Sequence, residues 1–566
     1  MKKRYLDLME KALSAYPYEH IQRYFDDVKE HGLTEHGFPR LTANIGILIS
    51  HGRRRDLLPI FLEMMKFCCK TIPNVKAAND FSVREMICCI WEVERSGVAD
   101  AESLARWRGY LRAIDPLTCY TRVATSMDYN YRNWVLFTAV SEFFRSLDGL
   151  CRDDAFLEFQ LRHQLQFFDE NGMYLDNKKT NDRHHPIVYD LVPRGLLSIL
   201  LEKGYRGEHY QTIDAILKKS ALLTLDMQSP TGEIAYGGRS NQFVHNEAWL
   251  VGICEYEAKR YMREGNLLLA SRFAAARERA IAVMEEWLNK DPIRHIKNRY
   301  PTDTGYGCED YAYFDKYMIT VASLLYVAYQ ICDDSLTAEA LPDTEPTVCM
   351  TSSRFHKLFL KCGGYGLEFD TDADPHYDAK GLGRVHRAGA PSPICMSVPA
   401  TKTPSYRVDR EERYDLSLCP AIKGNGEWIF ATEEGVGHAV TATSRTNVDT
   451  KATLRYDFFG EKAVTADYRV NSDGVEIRVW GEGEIAHALP AFAFDGESKP
   501  EITATEHTLT VAYQGWICRY TTDGSIRDTG KIACNRNGHY RAFLTHGQGQ
   551  LTVNIEILPI EQSAEG

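Results

Sequence analysis

The sequence predicts two domains, an N-terminal (α/α) toroid built as an incomplete barrel of helical hairpins and a C-terminal antiparallel β-sandwich. The chain has 566 residues, which is more than one ordinary hydrophobic core accommodates. Up to about residue 335 the apolar residues recur at helical spacing. From about residue 346 the chain becomes a series of short segments rich in β-branched and aromatic residues, separated by Gly, Asn and Asp. We therefore expect the toroid over residues 1–335, a linker over 336–350 and the sandwich over 351–566.

Four segments of the first half carry the helical pattern most clearly: 56–72, 133–147, 187–204 and 267–288. The segment 187–204 is apolar on almost every side, which is typical of a helix buried inside a larger helical assembly. Pro193 within this segment predicts a kink in the helix.

Polar connections marked by glycine recur in the helical half, around Gly172, Gly232 and Gly305. The intervals of 60 and 73 residues each fit two helices and their loops. We therefore expect about six helical hairpins, closed in a ring with the polar loops at one end. An open solenoid is the alternative arrangement of the same hairpins.

The second half alternates apolar and polar residues in segments such as "GVEIRVWGEGE" and "QLTVNIEIL". This alternation is typical of half-buried strands, and many such strands predict an antiparallel sandwich. The bridge between the halves, "CDDSLTAEALPDTEPTVCM", is rich in Asp, Glu, Thr and Pro, which indicates the linker.

The bulk properties exclude several classes of protein. The formal net charge of −12 leaves no basic surplus for a nucleic-acid partner. The first twenty residues begin with basic side chains but lack the apolar core of a signal peptide, and no run approaches the ~18 apolar residues of a membrane span. The fifteen cysteines include no C-x-x-C pair, which favours reduced, buried thiols. We expect a cytoplasmic protein, unless an export signal preceded the chain, and a homo-oligomer is compatible with the sequence.

Polar residues cluster at four places where a loop meets the start of a helix. The candidate binding or catalytic residues among them are Tyr129, Arg132 and Asn133; Asn181, His184, His185 and Tyr189; Tyr236, Arg239, Asn241, Gln242 and His245; and Tyr306, Glu309, Asp310 and Tyr311. Each cluster alone is equally typical of helix caps and wall residues. Their repetition at one predicted end of the ring favours a common site.

Two chemistries fit these residues poorly. A metal site is not favoured, because the adjacent His184 and His185 point in different directions on a helix and no H-E-x-x-H spacing occurs. Hydrolysis of a glycoside requires two carboxylates, for which Glu309, Asp310, Asp182 and Glu247 are available. This pairing is unspecific, because charged surfaces commonly supply such pairs.

Elimination on a uronic acid fits the stretch 236–248 better. A base removes the proton α to the carboxylate, an acid protonates the leaving glycosidic oxygen, and cationic or amide groups neutralise the carboxylate. Arg239 with Asn241 or Gln242 would hold the carboxylate, while Tyr236 and His245 would transfer the protons. The reaction needs no cofactor, although a structural divalent cation such as calcium is compatible with the sequence.

The predicted toroid and sandwich, with His184 and Tyr236 lying 52 residues apart, resemble the heparinase II/III-like and alginate-type polysaccharide lyases. The resemblance implies a uronate lyase with a histidine on one hairpin and a tyrosine about one hairpin later. His185 and Tyr189 form a second candidate pair. Arg183 stands where these families have an asparagine before the histidine, so the carboxylate-holding role would pass to Asn181 or Arg239.

The loop 374–393 of the β domain adds Arg384 and His386, which would hold a sugar acid or lie solvated on the surface. We therefore expect an enzyme that cleaves uronate-containing oligo- or polysaccharides by β-elimination, in the exo-acting form that suits imported oligosaccharides. The alternatives are a glycoside hydrolase on the same toroid and a non-catalytic carbohydrate-binding protein.

Overall fold

A computed structural model describes residues 1–128, 133–176, 184–341 and 345–560 of the chain. The predicted site residues Tyr129, Arg132 and Asn181 lie outside these ranges, as does Asp182. Within the described residues, no helix combines the length and the apolar character that crossing a membrane requires. All fifteen cysteines are free thiols, and all except Cys151 are buried.

The described part of the first half is helical, as the apolar spacing predicts. Its helices are α1 (Lys2–Leu13), α2 (Tyr18–His31), α3 (Gly37–Ser50), α4 (Leu58–Thr71), α5 (Asn79–Ser96), α6 (Ala101–Arg112), α7 (Pro116–Cys119), α8 (Trp134–Leu147), α9 (Asp154–Leu165), α10 (Val188–Glu202), α11 (Tyr210–Met227), α12 (Val244–Arg263), α13 (Leu267–Leu288) and α14 (Phe314–Ile331).

Six of these helices form a closed inner ring. Helices α3, α5, α8, α10, α12 and α14 each pack against the next, and α14 packs against both α3 and α1. Helices α4, α9, α11 and α13 pack against the outside of this ring. The toroid is therefore confirmed, and closure through α14 excludes the open solenoid.

Helix α10 shows how the sequence produces this ring. It is buried on almost every side and contains Pro193, in agreement with the apolar pattern of 187–204. Gly195 lies so close to the Trp249 ring of α12 that a Cβ atom would be only 2.3 Å from it. A larger residue at this position would therefore push the two inner helices apart.

The second half forms antiparallel strands. They are β1 (Thr347–Met350), β2 (Lys357–Cys362), β3 (Tyr365–Asp370), β4 (Gly381–Arg387), β5 (Pro420–Gly424), β6 (Glu427–Phe430), β7 (Val436–Arg445), β8 (Thr450–Phe458), β9 (Lys462–Val470), β10 (Val475–Phe494), β11 (Glu501–Ala504), β12 (Thr508–Tyr513), β13 (Trp516–Thr522), β14 (Ser525–Asn535) and β15 (Gly538–Pro559).

Two sheets share one hydrophobic core, which confirms the sandwich. Strands β1 to β4 form a four-stranded sheet in sequence order, and the other strands form an eleven-stranded sheet. Phe369 of the small sheet packs edge-on against Tyr468 of the large one, with ring centroids 4.8 Å apart. Strand β1 begins at Thr347, inside the segment predicted as linker, because its residues pair with β2.

The small sheet also packs against the toroid. The Arg384 guanidinium on β4 donates a hydrogen bond to the Ile234 carbonyl at 2.7 Å, and His386 Nδ1 lies 2.6 Å from Ser229 Oγ. Both partners belong to the loop between α11 and α12. The sandwich therefore packs against, and stabilises, a loop that carries predicted site residues.

Candidate active site

The beginnings of all six inner-ring helices surround one cavity of about 440 Å³. Its lining residues on or next to the first two turns are His36 and Arg40 (α3), Phe81 (α5), Asn133, Trp134 and Phe137 (α8), Tyr189 and Val192 (α10), His245 and Trp249 (α12), and Lys316, Tyr317 and Thr320 (α14). Arg122, Asp176, Arg239 and Tyr311 from the loops complete the wall. Because the N-terminus of a helix carries partial positive charge, this arrangement favours an anionic ligand.

Aromatic rings form much of the cavity wall. The Phe81 ring lies 4.9 Å from the Trp134 ring and 4.4 Å from the Phe137 ring, measured between centroids. Phe137 in turn contacts Trp249 at 6.2 Å. Such flat apolar faces suit contact with the C–H faces of a sugar ring, while the hydroxyls of the ligand remain available to polar groups.

Arg40 is a cation fixed in the wall by its neighbours. Its guanidinium nitrogens lie 3.1 Å from the carboxylate oxygens of Glu85, and Nη1 donates to Thr320 Oγ1 at 2.9 Å. This network joins α3 to α5 and α14. The position of the guanidinium is therefore set before any ligand binds.

Lys316 differs from Arg40, because it makes no ion pair within the described ranges. Burial lowers its pKa, the negative charge of Glu35 partly opposes this shift, and the Arg40 guanidinium adds to it. Its half-buried ammonium makes no ion pair among the described residues, so an anionic ligand would gain a strong partner here.

Arg239 connects the cation set to the tyrosines. Its guanidinium pairs with Asp176, which also accepts a hydrogen bond from Asn133 Nδ2 at 2.6 Å. The guanidinium lies 4.5 Å from the centroid of the Tyr189 ring. A cation at this distance from an aromatic ring is attracted to the face of the ring, which holds Arg239 and Tyr189 together.

Three tyrosine hydroxyls converge on Ser240. Ser240 Oγ lies 3.0 Å from the hydroxyl of Tyr189, 3.0 Å from that of Tyr311 and 3.3 Å from that of Tyr317. Burial raises the pKa of both Tyr311 and Tyr317, so these two hydroxyls keep their protons at neutral pH. The cluster therefore contains one tyrosine next to a cation and two firmly protonated ones.

The backbone holds Ser240 in an unusual conformation to make these contacts. Its φ of 58° lies in the left-handed region that non-glycine residues seldom occupy. The Ser240 N–H donates to Glu309 Oε1 at 2.6 Å, and Glu309 is in turn paired with Arg536 at 2.7 Å. A strained residue supported in this way is typical of a functional site.

His245 is a neutral imidazole in the wall. Burial lowers its pKa to about 3, and the Arg40 guanidinium contributes to this shift. Its Nδ1 is buried and has no hydrogen-bond partner among the described residues. The fold alone therefore leaves this nitrogen unsatisfied.

The structure brings five of the sequence-predicted residues together in this cavity: Asn133, Tyr189, Arg239, His245 and Tyr311. His184 and His185 line an adjacent cavity of about 140 Å³, which Arg239 also borders. This smaller cavity lies between the toroid and the β2–β3 region of the sandwich.

Tyr236 lies in neither cavity. It is completely buried, its ring centroid is 3.3 Å from Lys357 Nζ, and its hydroxyl has no hydrogen-bond partner among the residues that the structure describes. We call its buried polar surroundings the Tyr236 cluster, which consists of Tyr236, Lys357, Glu368, Asp370, Asp378 and Arg384. The predicted proton-transfer role of Tyr236 stays a prediction.

Asn241 and Gln242 are also buried in the contact between the two domains. The Gln242 amide donates to Asn241 Oδ1 at 2.9 Å and accepts from Asn537 at 3.2 Å. Neither residue lines the main cavity. Arg384 and His386 lie on the buried strand β4 and not on an exposed loop, because both side chains bond to the loop between α11 and α12.

The fourth predicted cluster is divided in a similar way. Glu309 is buried against Arg536, while Asp310 is exposed and lies 3.3 Å from Arg407. Tyr306 stacks on Tyr300 with ring centroids 3.6 Å apart and lines a third cavity. Only Tyr311 of this cluster reaches the main cavity, and the predicted roles of the others remain untested.

Several lining residues were not predicted from the sequence, namely His36, Arg40, Phe81, Arg122, Trp134, Trp249, Lys316, Tyr317 and Thr320. For one of them, Arg40, the sequence does contain a signal. Arg40 stands in "GFPRLTANIGILIS", an otherwise apolar segment that forms the buried helix α3. A charged side chain in such a segment must meet a partner or a polar cavity.

The chain is similar to several solved structures in the arrangement of its elements. The sequence matches no protein-family model. It also matches no curated protein. Similar solved structures include a heparinase III (TM-score 0.47, 11% identity, covering 93% of this chain and 79% of that one) and a mutant heparan sulfate lyase from Pedobacter heparinus (TM-score 0.44, 9% identity, covering 91% and 75%). These neighbours agree with the resemblance stated for the sequence.

Proposed function

We propose that this protein is a polysaccharide lyase that cleaves a glycosidic bond at a uronic acid by β-elimination. The observation that carries the proposal is the convergence of the Tyr189, Tyr311 and Tyr317 hydroxyls on Ser240 in a cavity lined by cations. The names of the similar solved structures, heparinase III and heparan sulfate lyase, point to the same class of reaction.

The uronate carboxylate would bind between Lys316 and Arg239, at the beginnings of the inner helices. Lys316 makes no ion pair among the described residues, and Arg239 reaches the cavity beside Asn133. Neutralising the carboxylate lowers the cost of the negative charge that develops when the α proton leaves. The aromatic wall would hold the sugar ring, and His245 would bond to a ligand hydroxyl as a neutral imidazole.

Tyr189 would act as the base. Its phenolate takes the C5 proton, the electron pair forms the C4–C5 double bond, and the C4–O bond to the leaving sugar breaks. Tyr311, whose pKa is raised by partial desolvation, donates its proton to the leaving oxygen. The products would be a 4,5-unsaturated uronate and a new hydroxyl end.

Ser240 would then reset the site. After one turnover Tyr189 carries a proton and Tyr311 lacks one. Because the Ser240 hydroxyl lies 3.0 Å from both oxygens, it can pass a proton from Tyr189 back to Tyr311. Elimination by this route would need no cofactor. We also propose that the protein acts in the cytoplasm.

The hydrolase alternative finds less support in the cavity. A hydrolase requires two carboxyl groups that flank one bond. Among the described residues, Asp176 is the carboxylate that lines the cavity, and it is held by Arg239 and Asn133. Glu247 is buried 2.6 Å from Lys297, and Asp310 lies on the exposed surface.

One assay separates the three functions. The protein is incubated with a panel of uronate glycans and with matched neutral glycans, while ultraviolet absorbance and reducing ends are followed together. A lyase produces both signals on the uronate glycans alone. New reducing ends without absorbance would refute elimination in favour of hydrolysis, and binding without either signal would favour a carbohydrate-binding protein.

A further inference from the structure

A second group of reactive side chains lies away from the proposed active site, on the sandwich. Cys534 near the end of β14 and His539 near the start of β15 are paired residues of one hairpin. Asp409 reaches them from the loop 404–413, and its Oδ1 lies 2.6 Å from His539 Nε2. One ligand atom from each of the three residues lies within 4.8 Å of the other two.

We propose that Asp409, Cys534 and His539 bind a divalent transition-metal ion of the zinc type. Thiolate, imidazole and carboxylate are the ligands that zinc prefers in proteins, whereas calcium and magnesium prefer oxygen ligands alone. Around a tetrahedral zinc ion, with bonds of about 2.0 to 2.3 Å, these atoms would lie roughly 3.3 to 3.7 Å apart. The present spacing needs only small side-chain movements to reach that geometry.

The surroundings of the three residues also suit a bound ion. A cavity of about 610 Å³, lined by Tyr300, Tyr306 and Asp409, opens beside the group and gives an ion access from solvent. Tyr306 is only 4% exposed, and its hydroxyl lies next to Cys534. That hydroxyl is available to bond to a thiolate or to a water that fills the fourth position.

Binding of the ion by these three residues requires no further reactant. The ion forms bonds to Cys534 Sγ, His539 Nε2 and an Asp409 oxygen, the thiol proton passes to solvent, and the hydrogen bond between His539 and Asp409 is lost. The ion would tie the loop 404–413 to the β14–β15 hairpin. Since Arg407 in this loop exchanges backbone hydrogen bonds with Gly307 and Cys308, the ion would also fasten the sandwich to the toroid.

Another cluster of possible ligands provides a comparison. Glu158, Glu208 and His209 also come together, but this group has no thiol, and Glu158 already accepts a hydrogen bond from Tyr205 at 2.7 Å. It therefore serves as a control for unspecific binding of divalent ions.

The test is a titration of the full-length, chelator-treated protein with Co²⁺, followed by absorption. We expect a thiolate-to-cobalt band in the near ultraviolet that saturates at one equivalent and is displaced by Zn²⁺. Cys534→Ser should remove this band, while Cys151→Ser, at a thiol outside the cluster, and His209→Ala should retain it. Absence of the band in the unmodified protein, or its persistence in Cys534→Ser, would overturn the proposal.

A second variant keeps the test valid if Cys534→Ser does not fold. Asp409 is 41% exposed on its loop, so Asp409→Asn should leave the fold intact. We expect it to weaken Co²⁺ binding by at least about tenfold, because it removes a charged ligand. An unchanged affinity in Asp409→Asn would refute the three-residue site.

Discussion

The main cavity and the Tyr236 cluster are built partly from the same short loop, yet their charged side chains differ in whether an opposite charge lies beside them. In the Tyr236 cluster, Lys357 lies 3.2 Å from Glu368 and 3.1 Å from Asp370, and Arg384 lies 3.0 Å from Glu368. Each of these buried charges therefore has an opposite charge beside it.

In the main cavity, Lys316 has no ion pair and His245 Nδ1 has no hydrogen bond within the described ranges. Burial without a partner costs free energy that the fold alone does not recover. The difference teaches that the unmatched polar groups, more than the number of polar residues, mark the place for a ligand. His245 lies on the unmatched side, whereas Arg239 is paired with Asp176, and Asn241 and Gln242 are hydrogen-bonded to each other.

The largest expected effect is on the cavity side. Tyr189→Phe removes the proposed base while keeping the ring that stacks with Arg239, so we expect kcat to fall by about 10²–10⁴-fold. The measurement is the initial rate of absorbance increase at saturating uronate substrate. Tyr18→Phe, at an exposed tyrosine, is the control. A rate within a few-fold of the unmodified protein would remove Tyr189 from the mechanism.

The next effect concerns the unmatched cation. Lys316→Ala should lower kcat/KM by about 10²-fold, because one electrostatic partner of the developing charge is lost. Lys451→Ala, at an exposed lysine of the sandwich, should leave kcat/KM unchanged. Equal values for the two variants would contradict the proposed carboxylate site.

The pH dependence of kcat/KM tests the same cation, with a variant that retains the positive charge at position 316. Because burial lowers the pKa of Lys316 below 10.5, its ammonium is lost as pH rises through that lowered value, and kcat/KM should fall there. Lys316→Arg stays protonated, so the alkaline fall should move to higher pH. An identical alkaline profile in both proteins would show that another group controls it.

A smaller effect is expected on the stability of the Tyr236 cluster. Burial raises the pKa of Asp378 from 3.8 to about 7, so its contribution to stability is present below pH 3.8 and is lost as pH rises toward 7. Asp378→Asn cannot ionise and keeps an acceptor for the Gly238 N–H, which lies 2.8 Å away. Its stability relative to the unmodified protein should therefore increase by roughly 1.4 kcal/mol per pH unit in this range.

The measurement is the melting temperature of both proteins at pH 5 and pH 7.5. Asp56→Asn, at an exposed carboxylate, should show no such pH-dependent difference. If the difference between Asp378→Asn and the unmodified protein is the same at both pH values, Asp378 ionises normally in the folded protein.

The smallest effect is expected for Tyr236→Phe. The hydroxyl makes no hydrogen bond among the described residues, so its removal should leave kcat unchanged and the melting temperature unchanged or slightly raised. The assay used for Tyr189→Phe checks this directly. Loss of activity would restore Tyr236, the tyrosine that the sequence pattern favours, as a catalytic residue.

The sequence predicts the fold better than the site, for a physical reason. Helical and strand periodicities are local, so the toroid, the sandwich and the buried character of α10 all follow from residues within a few turns of one another. The direction of a loop side chain depends on single φ values. Ser240 and Gln242 both have left-handed backbones, which turn neighbouring side chains of one polar stretch into different environments.

Partners that are distant in sequence escape prediction for a related reason. Arg40 and Thr320 are hydrogen-bonded across 280 residues, and no local pattern shows that α3 and α14 meet. Ring closure brings Lys316 into the same wall as Tyr189 and Arg239. Without knowledge of this closure, the sequence suggests that the four polar clusters form a common site. It does not show which residue of each cluster lies in that site.

Closure of the ring by α14 also has a consequence for how the protein becomes competent during synthesis. Asn44 donates to Ser323 at 2.8 Å, and Ser323 donates to Glu85 at 2.7 Å, so the first and last inner helices share one buried network. A nascent chain that has not yet released α14 from the ribosome lacks Lys316, Tyr317 and Thr320, one of the partners of Arg40. The cavity wall can be completed only after nearly the whole toroid has emerged, and any fragment that stops before residue 314 would be an open arc without a binding site.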